Sequence, residues 1–195
     1  AVIIPESEIK PATTVGELEE MVKQQATVKT VKNNLKTWPR SWWASILRRI
    51  LQPIFFLLVK FFVKLKVEGQ ENLEGLRQPA IFMPNHLSYI DGALVIMALP
   101  KKYKKRLTFA AARDALYEEF KSISILVDLM FNTFPLQRGE DENIKLGLEN
   151  TGKMLDKDYS VVLFPEGLIS KDGSIQPIKK GAGLIAVEMG VQVVP

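Results

Sequence analysis

Residues 80–92 of the chain read AIFMPNHLSYIDG, and residues 160–167 read SVVLFPEG. Each stretch begins with a short apolar run, typical of a buried strand, and continues into a turn marked by proline or glycine. We predict strands at Ala80–Met83 and Ser160–Phe164, and a helix at Asp91–Leu99 after the first turn. The two units indicate a sheet with polar side chains at its strand ends.

The segments around these two units repeat the same alternation of strand and helix. Alternation of this kind is typical of an α/β fold with a mostly parallel sheet flanked by helices. In such a fold the loops that follow the strands meet at one edge of the sheet, where binding and chemistry are usually found. The further predicted strands are Leu107–Ala112, Thr133–Leu136 and Val191–Val194, and the further predicted helices are Arg113–Phe120, Ile123–Met130, Glu140–Asp156 and Gly183–Met189.

The composition of the 195 residues is that of a globular domain, with 47% hydrophobic and 25% charged residues. There is no cysteine and only one histidine. This excludes a disulfide framework, a thiolate nucleophile and a metal site rich in Cys or His, and we expect neither a metal nor a cofactor. The chain starts at Ala1 and ends in the apolar run Val193–Pro195, so we expect a C-terminally truncated fragment of a longer protein.

Positive charge is concentrated in one segment of the chain. The net charge is +4, but residues 21–67 carry ten Lys or Arg and no acid. A basic block of this kind indicates an anionic partner surface, either phospholipid or nucleic acid. We predict a linker with a short polar helix (Thr14–Gln25) at 1–39, a helical arm at 40–66 and an α/β domain at 67–195.

The arm is also the most apolar stretch of the chain. Its longest uncharged run, Ile50–Val59, has ten residues, whereas a helix needs about 20 to span a bilayer. Pro53 should kink or restart a helix here. We therefore predict helices that lie in the membrane interface and a peripheral membrane protein on the cytoplasmic face. The residues expected to contact the headgroup layer are Trp38, Trp42, Trp43, Arg48, Arg49, Lys60, Lys64 and Lys66.

Two other interpretations of the arm stay open. A buried helix of a soluble core is one, although such a helix seldom combines pairs of phenylalanine with many lysines and no acid. Binding to nucleic acid is the other, and it is disfavoured because the aromatic residues are packed among aliphatic ones instead of being spaced as stacking platforms. We expect phospholipid, and no nucleic acid, as the partner.

The single histidine, His86, lies in the turn after the first quoted strand. Asp91 follows five residues later, a spacing that on a regular helix points two side chains to different faces. The two can meet only if His86 sits in the turn and Asp91 folds back from the first turn of the helix. Asp91 would then accept the imidazole N–H and leave the other nitrogen as a general base. A histidine that merely caps the helix is the alternative.

Two more polar side chains follow predicted strands beside proline or glycine. Arg138 lies in the stretch FPLQRG at residues 134–139, and Glu166 lies in FPEG at residues 164–167. Taken singly, Arg138 fits a solvated loop charge and Glu166 fits a helix N-cap. Together with His86 they indicate one site at the edge of the sheet.

These blocks resemble the motifs of a known family. NHLSYID at residues 85–91 is similar to the NHxSxxD block of the PlsC-like glycerolipid acyltransferases, the superfamily of lysophosphatidic acid (1-acylglycerol-3-phosphate) acyltransferases. FPLQRG, FPEG and the terminal Val-Pro pair resemble the second, third and fourth blocks, and all four come in family order over residues 65–195. The family also has a membrane-embedded two-helix arm before the domain, which agrees with the charge argument.

The resemblance implies transfer of a fatty acyl group from acyl-CoA or acyl-carrier protein to the hydroxyl of a lysophospholipid, in glycerophospholipid synthesis or remodelling. His86 would be the base and Asp91 its partner, as in a catalytic triad without the serine. Arg138 would hold the phosphate of the acceptor. The other residues implied to bind substrate are Asn85, Ser88, Glu166, Gly167, Lys179, Lys180 and Gly181.

One position departs from the family pattern. FPEG is usually followed by Thr-Arg-Ser, whereas here Leu168, Ile169 and Ser170 follow it. The missing arginine removes an expected phosphate contact, so either nearby lysines compensate or the acceptor differs from lysophosphatidate. A catalytically inactive peripheral lipid-binding module is therefore the alternative function.

Two further patterns carry less information. KKYKKR at residues 101–106 is a basic run after a predicted helix. Most such runs are solvated surface, and contact with the phosphates of CoA or of lipid headgroups is the alternative. Residues 181–186 match the dinucleotide fingerprint GxGxxA, but no predicted strand precedes them, so the required context is missing.

Overall fold

A computed structural model describes residues 35–137 and 141–195 of the chain. Two sequence predictions fall outside the described residues. These are the short helix Thr14–Gln25 and the site residue Arg138.

The described residues contain five strands that form one parallel sheet, in the order β3-β2-β4-β1-β5. The predicted α/β fold is therefore confirmed. The central strand β4 pairs with β1, and Phe82 lies opposite Val162. Because the two strands are parallel, the loops that follow them leave the sheet at the same edge. The strands are β1 Ile81–Phe82, β2 Leu107–Ala112, β3 Thr133–Leu136, β4 Ser160–Val162 and β5 Val193–Val194.

Helices cover both faces of this sheet. The helices are α1 Trp42–Phe62, α2 Asp91–Ala98, α3 Lys101–Lys104, α4 Lys121–Phe131, α5 Asp141–Leu155 and α6 Lys180–Glu188, with a π-helical turn at Asp114–Glu119 and 3-10 turns at Trp38–Arg40 and Gln70–Leu73. Residues of α5 and α6 pack around Ile81 and Val161 on one face. Residues of α1 to α4 pack around Phe82 and Val162 on the other. Successive residues of each strand serve opposite faces, as the pleat requires.

The predicted arm is one continuous helix, α1, which passes through Pro53. This corrects the expectation of several helices. Proline removes one backbone hydrogen bond, but α1 contacts α4 on both sides of it, through Gln52 to the Met130 carbonyl and through the ring of Phe55 on Phe131. No helix in the described part of the chain has the length and apolar character needed to cross a membrane.

One side of α1 is packed and the other is exposed. Ala44 and Val59 are buried against the rest of the compact unit, Leu35–Pro195. Large apolar residues are exposed on the same helix, and Phe61 is 84% exposed. This argues against the alternative of a buried core helix, and an apolar surface of this kind marks an interaction site. The exposed residues are Trp42, Trp43, Ile46, Leu47, Ile50, Ile54, Leu57, Leu58, Phe61 and Phe62.

Polar side chains of α1 bind the C-terminal end of α4. Arg48 Nε donates to the carbonyl of Leu129 and Gln52 Nε2 donates to that of Met130, each at 2.6 Å. Carbonyls in the last turn of a helix lack partners within it and need donors from elsewhere. Burial lowers the pKa of Arg48 to about 10. Arg48 therefore holds the helix on the protein, which corrects its predicted contact with lipid phosphate.

A buried carboxylate holds the segment that precedes α1. Asp128 is fully buried, and its Oδ2 pairs with Lys36 Nζ at 2.9 Å. The hydroxyls of Tyr117 and Thr133 donate to its Oδ1, the first at 2.7 Å. A charge removed from water is tolerated only when it is paired and hydrogen-bonded in this way. The segment around Lys36 and the helix that follows are thus joined to the sheet by polar contacts.

We expect Arg48→Met to lower the free energy of unfolding by about 1.5–3 kcal/mol, because it removes a charged donor from a buried carbonyl. Arg49→Met is the matched control, since Arg49 is the exposed neighbour on the same helix. Denaturant unfolding curves of the two variants measure the difference. Equal stability of the two would contradict the docking role of Arg48.

Candidate active site

The loops after β1 and β4 meet at one edge of the sheet and carry the predicted site residues. His86 lies in the loop between β1 and α2, and Asp91 is the first residue of α2. His86 Nδ1 is 2.9 Å from Asp91 Oδ2. This is the arrangement that the five-residue spacing required, with the histidine in the turn and the aspartate folding back from the helix start. Nε2 is the ring nitrogen left for a reacting group.

Asp91 is held by more than the imidazole. Its Oδ2 accepts the backbone N–H groups of Leu87 at 2.6 Å and Ser88 at 2.8 Å, and its Oδ1 accepts the hydroxyl of Ser88. Burial by itself raises the pKa of Asp91, but the hydrogen bonds from Ser88, His86 and Leu87 outweigh it, and the pKa is lowered overall. Asp91 is therefore an anion at neutral pH. Ser88 thus orients this carboxylate, and its predicted contact with substrate stays a prediction.

The imidazole of His86 stacks on the ring of Phe164. The ring centroids are 4.0 Å apart and the planes differ by 17°. The stack and the bond to Asp91 together fix both the plane and the direction of the imidazole. Phe164 was missed as a site residue from the sequence, although it opens the quoted FPEG block.

Glu166 joins the two loops. Its Oε1 accepts the backbone N–H of His86 at 2.9 Å, and its Oε2 accepts that of Gln176 at 3.0 Å. The residue is only 2% exposed. Glu166 thus positions the backbone of His86, and the expectation that it lines the acceptor site stays a prediction. The N–H of Ser170 completes the junction by donating to the His86 carbonyl at 2.8 Å.

The predicted phosphate-binding residues lie near this junction. Gly167 has a φ of +72°, and a Cβ placed on it would lie 3.5 Å from Lys179 Cγ, so the lysine side chain runs alongside the glycine. Lys179 N donates to the Pro165 carbonyl at 2.9 Å. Helix α6 begins at Lys180 with Gly181 in its first turn.

Of the remaining predicted site residues, the structure describes Asn85 but not Arg138. Asn85 is exposed in the loop before His86. Arg138 lies outside the described residues. Leu168, which stands where the family pattern has a threonine, is 59% exposed beside Gly167. Within the described ranges no group of His, Cys, Asp and Glu is arranged to hold a metal ion.

A histidine oriented by a carboxylate, at the loop edge of a parallel sheet, defines the class: an α/β protein built around a candidate general base. Comparison with known proteins then identifies the family. A family model described as Acyltransferase matches residues 64–195. The chain belongs to this acyltransferase family.

Several relatives share this region. The chloroplastic 1-acyl-sn-glycerol-3-phosphate acyltransferase of Arabidopsis thaliana is 33% identical over 134 residues, 69% of this chain and 35% of the relative. The human 1-acyl-sn-glycerol-3-phosphate acyltransferase beta is 27% identical over 139 residues, 70% of this chain and 47% of the relative. The chain therefore spans between a third and a half of the length of these proteins.

A solved structure supports the same fold. The crystal structure of the 1-acyl-sn-glycerophosphate acyltransferase PlsC from Thermotoga maritima matches with a TM-score of 0.52 at 20% identity. The match covers 90% of this chain and 64% of that chain. At this level of identity the likeness concerns the architecture of the α/β domain.

We expect Glu166→Gln to lower the free energy of unfolding by about 1–3 kcal/mol, because its NH₂ group would face one of the two buried N–H donors. Glu188→Gln, an exposed change in α6, is the control. Thermal or denaturant unfolding of both variants at neutral pH measures the effect. Equal free energies of unfolding for the two glutamine variants would contradict the role of Glu166 in joining the two loops.

Proposed function

We propose that this chain carries the acyl-transfer site of an enzyme that moves a fatty acyl group from a thioester to the hydroxyl of a lysophospholipid. The observation that carries the proposal is the His86–Asp91 contact of 2.9 Å in a member of the acyltransferase family. The relatives' names point to 1-acyl-sn-glycerol-3-phosphate, lysophosphatidate, as the acceptor.

The geometry supports direct transfer to the acceptor. The acceptor hydroxyl gives its proton to His86 Nε2 while its oxygen attacks the thioester carbonyl carbon. The carbon–sulfur bond then breaks, and the departing thiolate takes the proton from the imidazolium. Asp91 stabilises the imidazolium and fixes the tautomer through Nδ1. Phe164 and Glu166 act as positioning residues, since they hold the ring and the backbone of His86.

The acceptor phosphate needs cationic donors near the histidine. Cationic and N–H donors for a phosphate lie beside Gly167: Lys179, Lys180 and the N–H groups at the start of α6. A helix N-terminus favours an anion. Arg138 is proposed for the same role from its sequence position alone. These groups take over the phosphate contact that an arginine at position 169 would make. The donor is acyl-CoA or acyl-carrier protein, both thioesters.

The exposed side of α1 supports work at a lipid surface. Its apolar residues extend along the whole helix, and the helix carries basic residues and no acid. Burial of apolar area and attraction to anionic lipid add together in interfacial binding. We propose that the protein binds peripherally to a single leaflet of a membrane, on the cytoplasmic side.

A catalytically inactive lipid-binding module is the second candidate. The exposed apolar Leu168 and the Ile169 beside it, where the family pattern has threonine and arginine, favour it. Incubation with labelled acyl-CoA and a panel of lysophospholipids separates the two functions. Label in the phospholipid product supports the enzyme, and binding without transfer supports the module.

We expect His86→Ala to lower the turnover number about 10²–10⁴-fold, because the positioned base is lost. The fold should survive, since the imidazole contacts few core residues. Asp91→Asn should also be severely impaired, because the tautomer is no longer fixed. Radiolabelled product formation measures activity and circular dichroism checks folding. Near-wild-type turnover of a folded His86→Ala variant would overturn the mechanism.

We expect Arg138→Ala to raise the KM for the acceptor and to spare the KM for the thioester. A lost charge-assisted hydrogen bond to phosphate corresponds to about 1.5–3 kcal/mol. Initial rates with each substrate varied in turn measure the two constants. Arg113→Ala, which removes an arginine elsewhere, is the control. Equal effects on both substrates would show that Arg138 does not contact the acceptor.

A further inference from the structure

Lysines from two helices meet on one face of the sheet. Phe56 of α1 packs in the same core cluster as Leu99 and Tyr103, at the corner between α2 and α3. Lys60 lies one helical turn after Phe56 and is therefore beside this corner. The resulting basic patch consists of Lys60, Lys101 and Lys104.

The charges of the basic patch act on one another. Burial lowers the pKa of Lys104, and the positive charges of Lys60 and Lys101 lower it further. Lys104 is held in place by donating from Nζ to the carbonyl of Met97 at 3.3 Å. In the part of the chain that is described, no carboxylate forms an ion pair with these three lysines. A bound anion would relieve this repulsion.

Exposed aromatic residues adjoin the basic patch. Phe61 and Phe62 follow Lys60 directly and are 84% and 81% exposed. Their rings contact each other edge to face, with centroids 5.2 Å apart. Leu57, one turn earlier on α1, is also exposed. Cationic and apolar groups are thus adjacent on the exposed end of α1.

We infer that the basic patch binds the phosphate groups of anionic phospholipids, while Phe61 and Phe62 enter the acyl region of the same leaflet. The catalytic domain itself then contacts the membrane through α3, in addition to the arm. This contact would fix how the α/β domain is rotated about the axis of α1. The inference rests on the proposed function only in that the protein works at a lipid surface.

Charge complementarity and the apolar neighbours favour a lipid surface over a nucleotide. The 3′,5′-ADP portion of CoA would use the lysines but leave the phenylalanines in water. A phospholipid leaflet satisfies both kinds of group, and each Lys near an anionic surface strengthens binding about fivefold. Neither the fold nor the His86 site explains the basic run at residues 101–106. Contact with a phospholipid leaflet gives this run a partner.

The test compares two double variants of the full chain in vesicle sedimentation. Lys60→Gln with Lys101→Gln alters the basic patch, and Lys145→Gln with Lys153→Gln removes the same charge from α5 on the opposite face of the sheet. Vesicles are phosphatidylcholine with or without phosphatidylglycerol. We expect the patch variant to bind the anionic vesicles about 10- to 30-fold more weakly than the control. Binding to neutral vesicles should match, and added salt should reduce the difference.

Three outcomes would overturn the inference. The first is unchanged binding of the patch variant to anionic vesicles, and the second is an equal loss in the control. The third is a loss of affinity for free CoA, measured by titration calorimetry, without a loss in vesicle binding, which would assign the patch to the acyl donor. None of these assays measures turnover. A protein without acyltransferase activity whose basic patch binds lipid would therefore still give the expected result.

Discussion

The parallel pairing of β1 with β4 is the constraint on which the site depends. These strands are 80 residues apart in the chain, with Ile81 opposite Val161. Their side-by-side, same-direction packing delivers the His86 loop and the FPEG loop to one edge of the sheet. Glu166 then reaches the N–H of His86, and Phe164 reaches its ring. A slip of one residue in this register would point the core residues of a strand to the wrong face and would separate the two loops.

Irregular backbone close to a core must have its N–H groups paired. In this protein the carboxylates of Asp91 and Glu166 pair most of the backbone N–H groups around the histidine. Asp91 accepts from the backbone of Leu87 and Ser88, and Glu166 accepts from that of His86 and Gln176. The same bonds that satisfy the loop also orient the imidazole. Structural and chemical roles are therefore inseparable here, and substitutions in either carboxylate are expected to change both stability and activity.

The basic residues of the arm and of the segment before it divide according to what each side chain contacts. Arg48 and Lys36 are turned toward the protein, where they bind the Leu129 carbonyl and the Asp128 carboxylate. Lys60 is exposed beside α3. Helix α1 is thus fastened through polar contacts on one side and leaves its apolar side free. In the proposed binding to a lipid surface, this rigid attachment of α1 would fix the orientation of the whole domain, instead of only tethering it.

The sequence by itself determined the fold class and the strands β2 and β3 at their observed bounds, and it defined the one arrangement in which His86 and Asp91 can meet. These features depend on local patterns: apolar runs between turn residues, and a five-residue spacing that permits contact only when the histidine lies in the turn before the helix. Only the tertiary structure decided that Glu166 is a buried positioning residue and that Phe164 stacks on the imidazole. It also separated Arg48 from Arg49, which are equivalent in any local pattern. The physical reason is distance along the chain: Glu166 and Arg48 each bond a partner about 80 residues away. Packing, and not the local sequence, decides which face of α1 turns toward α4.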